Sequence, residues 1–311
     1  MSKKFYKFKK QMNYSDYLTK DNHAIFLFHG VVTKHRYKVR NYIRKHIDFE
    51  RFSEVIDSLH NKGNCISMDD FLDRSIKKKE LPKYSYSITF DDGFENNLIN
   101  ASPYLIEKKL PHMIYLTTSF IEDQSLSWID KIEYAIDITK TKKLELDCLT
   151  STFDISNYEN KIETLNFIRS KVKNSKKFCE KKLVNEVFFK LKISNIKADK
   201  ELDKKISWDQ IKRFAKHPLI SFGGHSHNHK ILSFLPLDEL NYEISICLGL
   251  LNQKADIDTV HFSYPEGLKH CFSEDVKKTL KKYGIRCCPT AINGVNSLST
   301  DLFQLKRINV V

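Results

Sequence analysis

The segment Thr89-Phe90-Asp91-Asp92-Gly93 places two adjacent carboxylates at the end of an apolar run, 85–90, which has the length of a buried β-strand. Far along the chain, His225-Ser226-His227-Asn228-His229 places two imidazoles four residues apart after another β-like run. Imidazole and carboxylate are the ligand mixture that zinc accepts at hydrolytic sites, where one coordination position stays open for water. These residues predict metal-assisted hydrolysis, with three metal ligands and one carboxylate left over as a base.

Each segment alone also has a simpler interpretation. Asp-Asp-Gly is common in turns, since Asp tolerates turn geometry and Gly supplies a positive φ, and a histidine-rich pentapeptide is common in solvated loops. The presence of both segments in one chain, each after a β-like run, favours the metal site. We interpret His227, which stands between the two ligand-type histidines, as a solvent-facing or supporting residue.

Strand-like and helix-like runs alternate along the chain, which predicts an α/β fold built from parallel β/α units. Side chains suited to catalysis follow several strands, among them His29, Asp91 and His225, and the strand ends of a parallel barrel share one mouth. The alternation alone allows either a barrel or an open doubly wound sheet. Strands are predicted at 24–28, 65–67, 85–90, 113–116, 219–222, 259–264 and 285–288, and helices at 49–62 and 236–254.

The length of 311 residues and the 41% hydrophobic content suit one large globular domain, which we predict over 1–311. The interval 131–205 is rich in Lys and Glu, contains no Pro or Gly, and shows helical periodicity at Ile162, Leu165, Ile168 and Val172. We predict a helical insertion there. It could shape the substrate cleft or be a solvated cap.

The net charge of +13 is spread along the chain, and no nucleic-acid-binding module accompanies it, so we expect no nucleic acid among the partners. The charge instead predicts attraction to anionic partners such as nucleotide-sugars, lipid-linked phosphates or a membrane surface bound peripherally. The basic start, 1–10, lacks the apolar core of a signal peptide, and the seven scattered cysteines fit reduced thiols. We therefore expect a cytoplasmic protein.

The two segments match T-F-D-D-G and H-[ST]-x-x-H, the first two motifs of the polysaccharide deacetylases of the NodB type, carbohydrate esterase family 4. The chain resembles this family from about residue 23 onward. The resemblance implies a distorted (β/α)7 barrel of the NodB type. It also implies that Asp91 is the catalytic base, and that Asp92, His225 and His229 hold a divalent metal, expected to be Zn²⁺.

The segment Phe262-Ser263-Tyr264-Pro265-Glu266-Gly267 resembles the third motif of the family in a variant form. The resemblance makes Glu266 a catalytic residue through its main-chain N–H, which could bind the oxyanion of a tetrahedral intermediate. Pro-x-Gly is otherwise an ordinary turn. An Arg that usually accompanies the base is replaced by Ser263, so Arg286 or Arg307 would have to take its place.

The last motif usually supplies a histidine as general acid, but 304–310 contains none and resembles the R-I-N-V ending of a subgroup that also has Phe28-His29-Gly30-Val31. His29 is therefore the first candidate for the acid and His261 the second. His29 could alternatively be a structural histidine. Trp128 could stack on a sugar ring or belong to the core.

Taken together, these residues predict a metal-dependent N-deacetylase in surface-glycan biosynthesis. The expected substrate is an N-acetylated amino sugar that is nucleotide-linked, lipid-linked or part of an oligosaccharide. One alternative is removal of a formyl or other N-acyl group from a sugar. The other is a non-catalytic glycan-binding protein on the same scaffold, which the missing Arg and the missing terminal His would favour.

Overall fold

The computed structural model describes residues 13–311, so the basic start of the chain, 1–10, lies outside the described residues. The strands are β1 Ala24–Phe28, β2 Gly30–Val32, β3 His46–Asp48, β4 Asn64–Cys65, β5 Ser85–Phe90, β6 His112–Leu116, β7 Lys143–Leu146, β8 Ser151–Asp154, β9 Ile220–Gly224 and β10 Ile308–Asn309. The helices are α1 Phe49–Lys62, α2 Met68–Lys77, α3 Ser102–Glu107, α4 Thr118–Asp123, α5 Trp128–Ile138, α6 Tyr158–Lys173, α7 Glu180–Leu191, α8 Trp208–Phe214, α9 Leu237–Ala255 and α10 Glu274–Lys282. This alternation confirms the predicted α/β fold.

A parallel sheet forms the centre of the molecule, with strand order β10-β1-β5-β6-β9 and with β4 paired to the start of β5. Every residue of β1, β5 and β6 is buried, which explains why these strands are continuous apolar runs rather than alternating ones. The register places Phe28 beside Phe90 and Phe90 beside Ile114. The last residues of β1, β5 and β6 therefore lie at one edge of the sheet.

Beyond β9 the parallel pairing continues only as single bridges, Gly224 to Phe262, His261 to Cys287 and Pro289 to Leu305. The strands predicted at 259–264 and 285–288 thus contribute isolated bridges instead of continuous ladders. Closure of the sheet into the (β/α)7 barrel of the NodB type stays a prediction.

The helices pack amphipathic faces on the sheet. In α1 the side chain of Asp48 caps the helix by accepting from the Arg51 N–H, and Phe52 and Leu59 are buried against the core. The seven cysteines are free thiols. Among the helices of residues 13–311, none combines the length and the apolar character that crossing a bilayer requires.

A second hydrophobic cluster, separate from the one under the sheet, joins α5, β7, β8, α6 and α7. Its centre contains Leu165, Ile168 and Val172 of α6, the positions whose helical spacing is visible in the sequence. The segment also contains the antiparallel pair β7–β8, which helical periodicity does not indicate because each strand is only four residues long. The extent of the insertion, 131–205, and the single-domain organisation, 1–311, stay predictions.

Candidate metal centre

Three side chains that could bind a metal converge at the carboxyl edge of the sheet. Asp92 follows β5, and His225 and His229 follow β9, with β6 between the two strands. One ligand atom of each of the three residues lies within 4.8 Å of the others. The Oδ1 atom of Asp92 is 3.6 Å from His225 Nε2 and 3.2 Å from His229 Nε2.

These three residues fit a divalent metal. Asp92 Oδ1 is buried, and no hydrogen-bond donor with good geometry reaches it within residues 13–311, although His229 Nε2 lies 3.2 Å away. A buried carboxylate oxygen without a partner is costly unless a cation satisfies it. Two imidazoles and one carboxylate with an open position form a ligand set typical of catalytic zinc.

Residues with positive φ values occur in both segments and orient the three side chains. Asp92, Ser226 and His229 have positive φ values of 73°, 62° and 56°, a region that costs an L-residue roughly 1–2 kcal/mol. Gly93 also has a positive φ, 70°, and a Cβ added there would lie 2.9 Å from Leu116 Cδ2. The Asp-Asp-Gly segment is therefore a turn, as the simpler interpretation holds, and this turn brings Asp92 to the two histidines.

A second layer of contacts orients His225. Its Nδ1 lies 2.8 Å from the carbonyl oxygen of Ser263, so this nitrogen carries the proton and donates. Nε2 is then unprotonated and faces the two aspartates, 3.9 Å from Asp91 Oδ2. A histidine held in this tautomer by a carbonyl is the usual arrangement of a metal-binding imidazole.

Asp91 is held by Arg307 in a bidentate ion pair, with Nη1 to Oδ1 at 2.8 Å and Nη2 to Oδ2 at 2.7 Å. Arg307 is 1% exposed and is fixed by further hydrogen bonds to the Thr290 carbonyl and to Ser263 Oγ. Burial alone would raise the pKa of Asp91, but the Arg307 guanidinium and His225 outweigh it and hold this pKa below its ordinary value. Asp91 is therefore ionised at neutral pH.

Arg307 is thus the partner of Asp91, and Arg286 is not. Arg286 is exposed, and the contact of its main chain is a hydrogen bond to Val260. Arg307 also donates to Ser263, so the serine at the usual position of the Arg lies between Arg307 and Asp91.

Of the two histidines considered for the general acid, His29 lines the cavity that contains Asp91, Asp92, His225 and His229, and His261 does not. Burial lowers the pKa of His29 to about 4 against the opposing effect of Asp92 and Asp91, so its ring is neutral at pH 7. The His261 ring lies in a different cavity, 3.0 Å from Asp69 Oδ1 and beside the start of β9. The structure does not bring His261 to the metal centre.

Glu266 also lines the cavity, in a left-handed conformation with φ 61°. Its carboxylate forms an ion pair with Lys173 at the end of α6. Burial would raise the pKa of Glu266, but Lys173 and His229 lower it to about 2. In the same turn the Gly267 N–H donates to the Pro265 carbonyl at 2.7 Å, which leaves the Glu266 N–H as the candidate oxyanion donor.

The cavity has a volume of about 310 Å³. One wall comes from the region of the insertion, with Trp128 at the start of α5 and with Arg169 and Lys173 of α6. Arg169 and Lys173 belong to the predicted insertion, 131–205, whereas Trp128 precedes it. The role of the insertion in shaping the cleft stays a prediction. Trp128 is half-buried, lines the cavity and also packs against the second hydrophobic cluster, so its stacking on a sugar ring stays a prediction.

Three cations that the sequence does not mark as site residues, Lys45, Arg169 and Lys173, also line the cavity. A signal for two of them exists, because Arg169 and Lys173 are four residues apart and lie on one face of α6. The sequence does not show that this face points at the metal centre.

Comparisons with known proteins indicate the family and the fold of the chain. The family model for polysaccharide deacetylase matches residues 78–288. Comparison with curated protein sequences gives no significant match. The fold is similar to the Streptococcus pyogenes deacetylase PplD in complex with acetate, with a TM-score of 0.61, 14% identity and coverage of 94% of both chains.

Two further solved structures have the same fold. IcaB from Ammonifex degensii has a TM-score of 0.61 and 16% identity, with coverage of 95% of this chain and 94% of IcaB. The BpsB deacetylase domain from Bordetella bronchiseptica has a TM-score of 0.55 and 15% identity, with coverage of 93% and 96%. At these identities the likeness concerns the fold alone.

Proposed function

The chain belongs to the polysaccharide deacetylase family, and on that premise we propose that it is a metal-dependent amide hydrolase that removes the N-acetyl group from an amino sugar. One observation carries the proposal. An ionised carboxylate, Asp91, lies beside an Asp-His-His triad with an unsatisfied buried oxygen, and both belong to one cavity. A divalent metal, for which we propose Zn²⁺, would polarise the amide carbonyl and lower the pKa of bound water when held there by Asp92, His225 and His229.

Asp91 is proposed as the general base. Its carboxylate is held by Arg307 through both oxygens, so it is oriented before the substrate arrives. Asp91 Oδ2 lies 3.9 Å from His225 Nε2, the nitrogen proposed to bind the metal. Asp91 is therefore close enough to the metal position to take the proton of an attacking water without binding the metal itself. The main-chain N–H of Glu266 is proposed to donate to the oxyanion.

His29 is proposed to protonate the departing amine. Because its ring is neutral at pH 7, it must first accept a proton within the catalytic cycle before it can donate one. Its position in the same cavity as Asp91 allows the proton taken from water to be passed on. In this scheme Asp91 takes the proton from water and passes it to His29, and His29 then donates it to the departing amine.

We propose that the substrate is an N-acetylated amino sugar of surface-glycan assembly, either nucleotide-linked, lipid-linked or within an oligosaccharide. The net charge of +13 supports an anionic carrier and peripheral association with a membrane surface. The seven free cysteines suit a reducing, cytoplasmic location. The alternative proposal is removal of a formyl or other N-acyl group from the sugar.

The non-catalytic alternative rests on two features, the absent Arg of the third motif and the absent terminal His. It loses the first of them, because Arg307 supplies that guanidinium from another part of the chain.

The test is an acetate-release assay on zinc-loaded protein with N-acetylated nucleotide-sugars, lipid-linked sugars and oligosaccharides. Asp91→Asn should abolish turnover with metal content near normal, because it removes a proton acceptor and not a ligand. Asp92→Ala should lose metal and turnover together. Near-normal turnover in Asp91→Asn, or no acetate from any substrate, would show that the proposed function is wrong.

A further inference from the structure

The insertion-side wall of the cavity carries three cationic side chains that the deacetylation scheme does not use. Lys45 comes from the segment before β3, and Arg169 and Lys173 come from α6. They are 15%, 16% and 17% exposed at the side chain, so all three are partly buried.

Two of these cations have their carboxylate partners behind them. Lys45 Nζ lies 2.7 and 2.9 Å from the two oxygens of Asp130, and Arg169 Nη2 lies 2.6 Å from Glu133. Asp130 and Glu133 are buried and do not line the cavity, whereas Lys45 and Arg169 do. The two carboxylates therefore fix the positions of the Lys45 and Arg169 side chains from the side that faces away from the cavity.

The third cation, Lys173, pairs with Glu266 inside the cavity. Each of the three cations is thus paired with one carboxylate, and of these carboxylates Glu266 lines the cavity, together with Asp91 and Asp92. An ammonium has three N–H donors and a guanidinium has five, so each cation has donors beyond those used in its ion pair. Such fixed donors bind an anion with little reorganisation.

We propose that this wall is a subsite for a phosphate ester carried by the substrate close to the acetamido sugar. The inference rests on the proposed deacetylase function and specifies its substrate class. A phosphate suits the wall because its several oxygens can accept from three cations, and the planar fork of Arg169 matches phosphate geometry. The phosphate could belong to a nucleotide-sugar or to a lipid-linked sugar.

The experiment compares the kcat and KM of acetate release for substrates that differ in the phosphate. They are N-acetylglucosamine 1-phosphate, its uridine diphosphate form, its polyprenyl diphosphate form in detergent micelles, and two neutral substrates, the methyl glycoside and a chitotetraose. The wild type should favour the phosphorylated substrates by about tenfold or more in kcat/KM, the effect of one charge-assisted hydrogen bond. The ratio of kcat/KM for the uridine diphosphate form to kcat/KM for the polyprenyl diphosphate form identifies the carrier.

Arg169→Met and Lys173→Met should each raise KM for phosphorylated substrates about tenfold more than they raise KM for the neutral substrates. Arg169→Lys is the second variant at its position, since it keeps a cation beside buried Glu133 and loses the fork. Lys171→Met is the matched control, because Lys171 is exposed on the same helix, contacts the ring of Phe167, and does not line the cavity. It should change no substrate's KM.

Calorimetric binding of glucosamine 1-phosphate separates the two proposals, because this compound has no acetyl group and needs no chemistry to bind. Wild-type binding that Lys173→Met weakens about tenfold would support the subsite even without turnover. Equal kcat/KM for neutral and phosphorylated substrates in the wild type, or equal losses for both in the variants, would overturn the subsite while leaving the deacetylase proposal intact. Absence of acetate release from every substrate would instead overturn the deacetylase proposal.

Discussion

Replacement of Arg307 by Met should disable the enzyme through Asp91 while leaving the metal ligands in place. The Arg307 side chain donates to Asp91, Ser263, Thr290 and Thr89, and to none of the three metal-binding candidates. Both partners of the ion pair are almost fully buried, at 1% and 3% exposure. Removal of one partner of such a pair typically lowers the free energy of unfolding by about 3–5 kcal/mol, because the other charge is left unpaired.

The same change should alter the pH dependence. Burial raises the pKa of Asp91 and Arg307 lowers it, so the pKa of Asp91 should rise above its ordinary value in the variant. In the wild type the folded-state pKa is the lower one, so Asp91 contributes stability above the unfolded-state pKa of about 4, and this is lost as the pH falls through the folded-state value. In the variant the folded-state pKa of Asp91 is the higher one, so its ionisation lowers the free energy of unfolding as the pH rises. The stability gap between the two proteins should be largest at neutral pH and should narrow as acid protonates Asp91.

The measurements are urea unfolding between pH 5 and 8, the pH profile of kcat/KM on zinc-loaded protein, and metal content. The acid limb of kcat/KM should move to higher pH in Arg307→Met, with metal content retained. Arg307→Lys should recover part of the stability, since it restores the charge without the bidentate geometry. Arg286→Met, an exposed arginine away from the cavity, is the control. An Arg307→Met protein with the wild-type acid limb and wild-type stability would refute the role of this ion pair.

Three further changes test other parts of the site. His29→Ala should lower kcat by about 10²-fold with metal retained, whereas His261→Ala should do much less, and an unchanged kcat in His29→Ala would exclude it as the acid. Burial lowers the pKa of Lys205 to about 8, so the charged side chain lowers the free energy of unfolding below pH 8. This destabilisation disappears as the pH rises from the folded-state pKa to the pKa of Lys205 in the unfolded chain. Lys205→Met should therefore raise the free energy of unfolding at pH 7 by up to about 3 kcal/mol, at about 1.4 kcal/mol per pKa unit, and urea titrations in which the gain did not shrink above pH 10 would contradict this. Chelation of the metal should lower the Tm of the wild type and not that of Asp92→Ala, since a ligand stabilises only a protein that binds it; equal Tm losses on calorimetry would remove Asp92 from the ligand set.

The parts of the fold that the sequence predicts best are those with an unambiguous local pattern. The bounds of β1, β5 and α1 agree with the prediction to the residue, because each is an apolar run or amphipathic repeat with a clear boundary. The predicted strands at 259–264 and 285–288 contain apolar residues of the same kind, but only single bridges form. Apolar composition predicts burial there, and it does not predict how many ladder hydrogen bonds follow.

The same distinction applies to the site. The convergence of Asp92, His225 and His229 follows from their positions after parallel strands, which sequence can predict. The choice of Arg307 over Arg286 depends on which side chain reaches a carboxylate 216 residues away in the chain, and no local pattern contains that information. The cations of α6 were missed for the same reason, since helical spacing shows a shared face and not what the face contacts.

The sequence separation between Asp91 and Arg307 also has a kinetic consequence. Arg307 immediately precedes β10, a strand of two residues that joins the sheet only through β1. Closing so long a stretch of chain costs entropy before any contact compensates, and contacts between distant residues slow folding. We expect β10 to dock late, after β5 has already buried Asp91. Until β10 docks, we expect Asp91 to be enclosed without the Arg307 guanidinium and therefore to be protonated, so its ionisation should belong to the late stages of folding.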